Sequence, residues 1–185
     1  MLDHFDIFAP LYEWLIPPPD PAILESLLEL TPDSALLDAA GGTGRVAGVF
    51  ANRVARAVVC DSAPRMLAQA RHKGLETTQT ELESLPFGDA TFDRILLVDA
   101  FHHLRDQHCA LRELLRVLKP GGRLIIEEPD IRRLPVKLVA LLEKLLLMRS
   151  HFLNPARMCA MIADCGGRAA IAREGHFRLW IVANP

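Results

Sequence analysis

Residues 36–48 read LLDAAGGTGRVAG, a short apolar run that ends at an aspartate and is followed by three glycines within four positions. A continuous apolar run of this length is typical of a strand that is buried on both faces of a sheet. Glycines let the backbone turn sharply and approach a ligand closely. The stretch therefore predicts a buried strand, a ligand-binding loop and the start of a helix, in that order.

The same alternation of strands and helices continues along the chain. The predicted strands are short apolar runs, with one polar exception at 76–80, and they lie at 35–39, 57–60, 76–80, 92–100, 122–128, 168–174 and 177–184. The predicted helices have apolar residues at helical spacing and lie at 44–56, 63–74, 106–119, 134–148 and 155–167. Alternation of this kind forms a parallel sheet with helices on both faces, whereas the last two strands are predicted to form a hairpin. We expect an α/β fold with a doubly wound, mostly parallel seven-stranded sheet and a C-terminal antiparallel hairpin.

Length, charge and cysteine spacing limit the class of protein. A length of 185 residues suits one domain, expected to span 1–185 with a helical cap over 1–30 and a helical cap or lid over 131–165. The net charge of −2 argues against a broad nucleic-acid surface. Two acids precede any apolar stretch and no run of eighteen apolar residues occurs, so neither a secretory signal nor a stable membrane span is expected. The four cysteines are widely spaced without a C-x-x-C pattern, which indicates free thiols, no metal and a cytoplasmic protein. A homodimer is among the assemblies that the sequence admits.

The glycine loop fits two classes of adenosine cofactor. The letters from Gly42 to Ala47 match G-x-G-x-x-A, the dinucleotide fingerprint, and an S-adenosylmethionine loop looks nearly the same. Asp61 ends the second strand, where its carboxylate can accept hydrogen bonds from both hydroxyls of a ribose, as in either class. Asp38 distinguishes them, because its charge four residues before Gly42 would repel a pyrophosphate and attract the cationic amino group of a methionine moiety. The residues thus favour S-adenosylmethionine over NAD(P).

Five motifs in order resemble class I S-adenosylmethionine-dependent methyltransferases, specifically the group that contains the ubiquinone/menaquinone biosynthesis C-methyltransferases. The matching stretches span roughly 35–128 and are Asp38 to Gly44, Asp61, Glu81 with Leu85-Pro86-Phe87, Phe92-Asp93, and Arg116 to Gly122. Two positions depart from the family pattern. Ala40 stands where the first loop glycine is usual, and Glu81 stands where an aspartate is usual.

The resemblance implies a set of cofactor-binding residues in the loops after the first three strands. Met66, Glu81 and Leu82 are expected to border the adenine, and Tyr12 belongs to an N-terminal segment that packs over the cofactor in the family. The full expected set is Asp38, Ala40, Gly41, Gly42, Gly44, Asp61, Ser62, Met66, Glu81, Leu82 and Tyr12.

The residues after the fourth and fifth strands are candidates for the acceptor side. Asp99 and His102 are the expected catalytic residues, and at least one of the adjacent pair His102-His103 is expected to be structural. Of Glu127 and Glu128, one is expected to point toward the pocket and the other to be solvated or to cap a helix. The Leu-rich segment 134–148 is open to three interpretations: a core helix, a lid over an apolar pocket, or a surface for a membrane or partner. Core and lid together are favoured.

The predicted function is S-adenosylmethionine-dependent methyl transfer to a small, apolar molecule. An NAD(P)-dependent oxidoreductase is the alternative among enzymes, although the chain has no Tyr-x-x-x-Lys motif and Tyr12 is its one tyrosine. A non-catalytic, S-adenosylmethionine-binding regulatory subunit is the alternative outside enzymes, since a chain of this length has little inserted material for substrate recognition.

Overall fold

The structure is a computed structural model that describes residues 19–145 and 150–185. Its strands are β1 (Ala35–Ala39), β2 (Arg56–Asp61), β3 (Glu76–Gln79), β4 (Phe92–Val98), β5 (Leu118–Pro129), β6 (Arg168–Glu174) and β7 (Arg178–Asn184). Its helices are α1 (Pro21–Leu28), α2 (Ala47–Phe50), α3 (Pro64–His72), α4 (Gln107–Val117), α5 (Leu134–Leu145) and α6 (Pro155–Asp164). Short 3₁₀ turns lie at Ala51–Arg53 and Phe101–His103.

The seven strands form one sheet in the order β3-β2-β1-β4-β5-β7-β6. The five strands from β3 to β5 are parallel, whereas β7 is antiparallel to both β5 and β6. This confirms the predicted doubly wound sheet and its closing hairpin. Because β1 lies between β2 and β4, the chain order reverses there, and loops from both halves of the sheet meet at its carboxyl edge.

Side chains alternate between two apolar layers along each central strand. In β1, Leu37 packs in the layer that α4 and α6 cover, while Leu36 packs with Leu24 and Leu28 of α1. The loop after β1 and helices α2 and α3 lie on the same side as α1, where Ala47 of α2 and Leu67 of α3 pack on β2. Both faces of the sheet are therefore covered, which explains why its strands are continuous apolar runs.

Several predicted helices are shorter in the structure, and the first differs most. The expected helix 44–56 is a four-residue α2 that continues as a 3₁₀ turn, and Val49, expected to face the core, is 44% exposed. The expected helix 106–119 ends at Val117, because a proline at 120 disfavours helical geometry at the residue before it and Leu118 already pairs with Phe92 of β4.

The Leu-rich helix does not pack in the core as expected. In α5, Val136 is buried, but five apolar side chains are at least half exposed: Leu134, Leu138, Val139, Leu141 and Leu142. Residues 146–148 of the predicted helix, like most of the expected N-terminal cap, lie outside the described residues. Among residues 19–145 and 150–185, no helix is both long and apolar enough to span a bilayer.

Candidate functional site

A cleft of about 450 Å³ lies at the carboxyl edge of the parallel strands. The loops after β1, β2, β3 and β4 line it, together with one residue from the segment after α5. The lining residues are Asp38, Ala40, Gly41, Gly42, Arg45, Val46, Asp61, Ser62, Met66, Glu81, Glu83, Val98, Asp99, Ala100, His103, Leu104, Arg105 and His151.

The loop after β1 is shaped by close approaches that a side chain would block. A Cβ on Gly41 would lie 2.6 Å from the Asp38 Cγ atom, and a Cβ on Gly44 would lie 2.4 Å from the Leu75 Cδ1 atom. Gly41 therefore lets the loop fold over the Asp38 carboxyl, and Gly44 lets it pack against the segment after α3. Ala40 adopts a φ of 50°, in the left-handed region that favours glycine. This position is the one at which the family pattern has its first glycine.

Asp38 forms a buried floor of the cleft. Its side chain is 1% exposed, and its Oδ2 atom accepts a hydrogen bond of 2.9 Å from the Ala47 backbone N–H. Burial raises the pKa of Asp38 to about 6, while the Ala47 hydrogen bond and the Arg45 guanidinium lower it and Asp61 raises it further. A cationic ligand group placed beside this carboxyl would favour its charged form.

Asp61 is held rigidly at the other side of the loop. Its Oδ2 atom accepts from the Gly42 N–H and its Oδ1 atom from the Ala63 N–H, each at 2.8 Å. Because each carboxylate oxygen has two lone pairs, the group can accept ligand hydroxyls as well. The two backbone bonds fix the orientation in which it would do so.

The hydrogen bonds of the loop disfavour a pyrophosphate. A dinucleotide fingerprint binds phosphate through backbone N–H groups at the start of the helix. Here the Gly42 and Ala47 N–H groups donate to Asp61 and Asp38, and the Gly41 and Gly44 N–H groups donate to backbone carbonyls. A pyrophosphate in this loop would have to displace two carboxylates from the donors that it needs.

Asp99 lines the β4 side of the cleft and is held by a buried ion-pair network. Its φ is 57°, and its N–H donates to the Glu127 carbonyl at 2.9 Å. Its Oδ2 atom lies 2.9 Å from the Arg178 Nη2 atom and 4.0 Å from the Arg45 Nη2 atom. Two guanidinium groups thus compensate the Asp99 carboxylate and fix its orientation at the cleft.

Neither acid at the end of β5 lines the cleft, so the expectation that one of them faces it is wrong. Glu127 is fully buried, and its carboxylate accepts from Arg178 at 2.9 Å and from the Trp180 indole at 2.8 Å. Burial raises the pKa of Glu127, against the opposing effect of Arg178. Glu128 accepts from the Phe101 N–H at 2.9 Å.

The histidine that lines the cleft is His103, whereas His102 lies beneath it. His102 is 4% exposed, its Nδ1 atom lies 2.6 Å from the Glu128 Oε2 atom, and its ring stacks on Phe152 with centroids 4.2 Å apart. His102 therefore does not line the cleft, and a catalytic role for it stays a prediction. Burial, with a smaller contribution from His102, lowers the pKa of His103 to about 3, so its imidazole is neutral across the physiological range.

The segment 150–152, which follows α5, contacts the turn after β4. The His151 N–H donates to the His102 carbonyl at 2.6 Å, and the Gln107 side-chain amide donates to the carbonyls of both Phe101 and His151, at 3.0 and 2.8 Å. The His103 Nδ1 atom lies 3.3 Å from the Ser150 hydroxyl. These contacts attach the segment 150–152 to the turn after β4 and place His151 at the cleft.

The cleft brings together nine of the expected site residues: Asp38, Ala40, Gly41, Gly42, Asp61, Ser62, Met66, Glu81 and Asp99. Leu82 is 3% exposed and packs in the core beside the cleft, and Gly44 acts through packing. Tyr12 lies outside the described residues. In the part of the chain that the structure describes, no group of three or more His, Cys, Asp or Glu side chains could hold a metal ion.

Sequence reasoning missed several of the residues that line the cleft. Arg45 lies within the stretch 36–48 from which the site was predicted. A basic side chain beside a ligand-binding loop could have indicated that Arg45 lines the cleft. Arg105 and His151 had no such signal, because only the tertiary structure brings them to the cleft.

The chain is similar to known methyltransferases in both sequence and fold. Residues 37–126 match the family described as methyltransferase domain. A demethylmenaquinone methyltransferase from Corynebacterium efficiens is 35% identical over 109 residues, covering 59% of this chain and 47% of the relative. A ubiquinone/menaquinone biosynthesis C-methyltransferase from Enterobacter sp. is 39% identical over 104 residues, covering 50% of this chain and 41% of the relative. The chain thus spans less than half the length of these two curated relatives.

The fold comparison covers nearly the whole chain. The solved structure of an S-adenosylmethionine-dependent methyltransferase from Thermotoga maritima superposes with a TM-score of 0.79 at 21% identity, covering 97% of each chain. This likeness shows the Rossmann-like architecture of class I methyltransferases.

Proposed function

We propose that the chain, whose residues 37–126 match the methyltransferase domain family, transfers the methyl group of S-adenosylmethionine to a small molecule. The observation that carries the proposal is the pair of carboxylates on either side of the Gly41-Gly42 loop. Asp38 is buried at the floor and Asp61 is fixed by two backbone N–H groups. This pair suits a ligand with an ammonium group and a ribose diol.

Each part of the cofactor has a matching region of the cleft. We assign the methionyl ammonium to Asp38, the ribose hydroxyls to Asp61, and the adenine to the region lined by Ser62, Met66 and Glu81. Leu82 would support the adenine region from the core. Tyr12 stays a proposed contact from the N-terminal segment.

Methyl transfer from a sulfonium places modest demands on the protein. The acceptor's electron pair attacks the methyl carbon as the carbon–sulfur bond breaks, and S-adenosylhomocysteine leaves. The protein has to align the two partners and exclude water. Val98, Ala100 and Leu104 give the β4 side an apolar lining for the body of the acceptor, in keeping with the expected small, apolar substrate and with the quinone-pathway names of the curated relatives.

The polar groups of the β4 side would orient the acceptor. His103 takes the place expected of His102, and its neutral imidazole can donate or accept one hydrogen bond. Asp99 would act as a positioning residue, since Arg178 and Arg45 compensate its charge.

The alternative functions make different demands on the cleft. An oxidoreductase would need a pyrophosphate site in the loop, where the backbone donors are already used. A non-catalytic regulatory subunit would bind the same cofactor and turn nothing over. The cytoplasmic location and the homodimer expected from the sequence are further proposals.

Two measurements on the purified chain test the proposal. S-adenosylhomocysteine at a hundredfold excess over its dissociation constant should stabilise the fold by about 2.7 kcal/mol through mass action, and the melting temperature should rise accordingly. NADH and NADPH serve as controls and should produce no comparable shift. A shift with a nicotinamide nucleotide alone would refute the assignment. Formation of S-adenosylhomocysteine from S-adenosylmethionine across a panel of small acceptors would then separate an enzyme from a regulatory subunit.

A further inference from the structure

The cleft is divided by charge along the edge of the sheet. The side that follows β3, β2 and β1 carries four carboxyl groups, from Asp38, Asp61, Glu81 and Glu83, against one guanidinium, from Arg45. On the side that follows β4, the lining acid is Asp99, which is ion-paired with Arg178. The remaining ionisable side chains there are Arg105, His151 and the neutral His103.

Arg105 is the cationic group on this side that has no compensating acid in the part of the chain that the structure describes. Among residues 19–145 and 150–185, no carboxylate lies within ion-pairing distance of its guanidinium, and no described group accepts a hydrogen bond from it. The neighbouring acids are used elsewhere. Asp106 caps α4 by accepting from the Cys109 N–H at 2.9 Å, and Glu83 accepts from the Asp106 N–H at 3.0 Å.

Arg105 is exposed, and the backbone on either side of it is held by hydrogen bonds. It lies two residues after the 3₁₀ turn Phe101–His103, and Gln107 connects that turn to the segment that carries His151. His151 lines the same cleft, and no contact of its side chain with another described residue is seen. Two exposed basic side chains, Arg105 and His151, therefore line the same cleft without an ion-pair partner among residues 19–145 and 150–185.

We propose that the methyl acceptor carries a carboxylate and that Arg105 binds it, with His151 beside it. A guanidinium presents parallel N–H donors that match the two oxygens of a carboxylate, which makes this the anion it recognises best among small organic acids. The acids of the β1–β3 side would repel the carboxylate of the acceptor. The division of charge would therefore orient the acceptor, in addition to the binding by Arg105. The inference rests on the proposed function, because it assigns the cofactor to the acidic side.

The test uses matched pairs of acids and amides on the complex with S-adenosylhomocysteine. Benzoate and benzamide, 2-naphthoate and 2-naphthamide, and hexanoate and hexanamide differ within each pair in the charged oxygen alone. Ligand-observed NMR on the saturated complex should show that at least one acid binds about tenfold more tightly than its amide, as expected for a charge-assisted hydrogen bond. Arg105→Gln should remove that preference, whereas Arg105→Lys should keep part of it.

The controls separate this inference from the cofactor assignment. Arg157→Gln removes the same charge from an exposed position outside the cleft and should leave the preference unchanged. All variants should bind S-adenosylhomocysteine within about twofold of the parent chain. If Arg105→Gln weakens cofactor binding, the guanidinium binds the methionyl carboxylate and the inference fails. It also fails if no acid in the panel is preferred over its amide. Failure of the parent chain to bind S-adenosylhomocysteine at all would instead refute the proposed function.

Discussion

The buried carboxyl of Asp38 makes cofactor affinity depend on pH in a predictable direction. With a pKa of about 6 in the unliganded protein, Asp38 is mostly charged one unit above that value and mostly protonated one unit below it. If the methionyl ammonium binds beside it, the charged form is the one that binds. Lowering the pH from about 7 to about 5 should then reduce the charged fraction roughly tenfold and raise the dissociation constant of S-adenosylhomocysteine by the same factor.

Proton linkage explains why the affinity for the cofactor falls as the pH is lowered. Binding favours the deprotonated carboxyl, so the complex forms with release of a proton wherever the free protein still holds one. Near pH 6 about half a proton should be released for each cofactor molecule that binds, and close to none above about pH 8. Isothermal titration calorimetry in two buffers of different ionisation enthalpy measures this number directly.

Two controls isolate Asp38 from the other acids of the cleft. 5′-Methylthioadenosine has the adenosine part and no ammonium, so its affinity should stay nearly constant between about pH 5 and 7. Asp38→Asn keeps an oxygen that can accept from the Ala47 N–H and cannot titrate, so it should bind S-adenosylhomocysteine weakly and without pH dependence. Equal pH dependence for the two ligands, or proton release that persists in Asp38→Asn, would contradict the placement of the ammonium at this carboxyl.

Three further perturbations address other parts of the site. Asp61→Ala should weaken cofactor binding by about one to two powers of ten while the fold remains, since a charge-assisted hydrogen bond contributes roughly 1.5–3 kcal/mol; unchanged affinity by calorimetry would place the ribose elsewhere. Ala40→Gly should raise the free energy of unfolding by about 1 kcal/mol in denaturant titrations, because a left-handed φ of 50° is strained for alanine; a loss of stability would show that this strain is absent. The pKa of His103 is lowered to about 3 from an ordinary value of 6.5, so the unfolded chain binds the extra proton first and stability should fall as the pH drops below that ordinary value. Below pH 6.5, His103→Gln should reduce the dependence of the free energy of unfolding on pH by up to about 1.4 kcal/mol per pH unit. An unchanged dependence would mean that His103 is not the titrating group.

The cofactor half of the site was predictable because its determinants are local. The strand 35–39, the glycines after it and the acid at the end of β2 all follow from short apolar runs and their ends. In parallel strands those ends meet at one edge, so Asp38 and Asp61 come together as a consequence of topology. The sequence also indicated the special position of Ala40, since the family glycine there corresponds to a left-handed φ.

The other half was not predictable, because long-range contacts decide it. Which of two adjacent histidines faces the cleft depends on Glu128, which is 26 residues away from His102 and binds its ring. Burial of both Glu127 and Glu128 likewise depends on Arg178 and on the turn after β4, which no local pattern reveals. Helix α5 has the composition of a core helix and yet exposes Leu138 and its neighbours, because hydrophobicity alone does not say whether a partner surface exists.

The C-terminal hairpin completes the site although it lies outside residues 37–126 that match the family. β7 runs antiparallel to β5, and this places Arg178 at the end of β5 that adjoins the cleft, opposite Pro129 in the register. From there Arg178 bridges Glu127 and Asp99, each at 2.9 Å. A parallel strand at the same position would enter the sheet at its opposite edge, so its first residue could not reach Asp99. Most residues that line the cleft, Arg105 among them, thus lie within the matched range, whereas Arg178, which compensates the Asp99 carboxylate, lies beyond it.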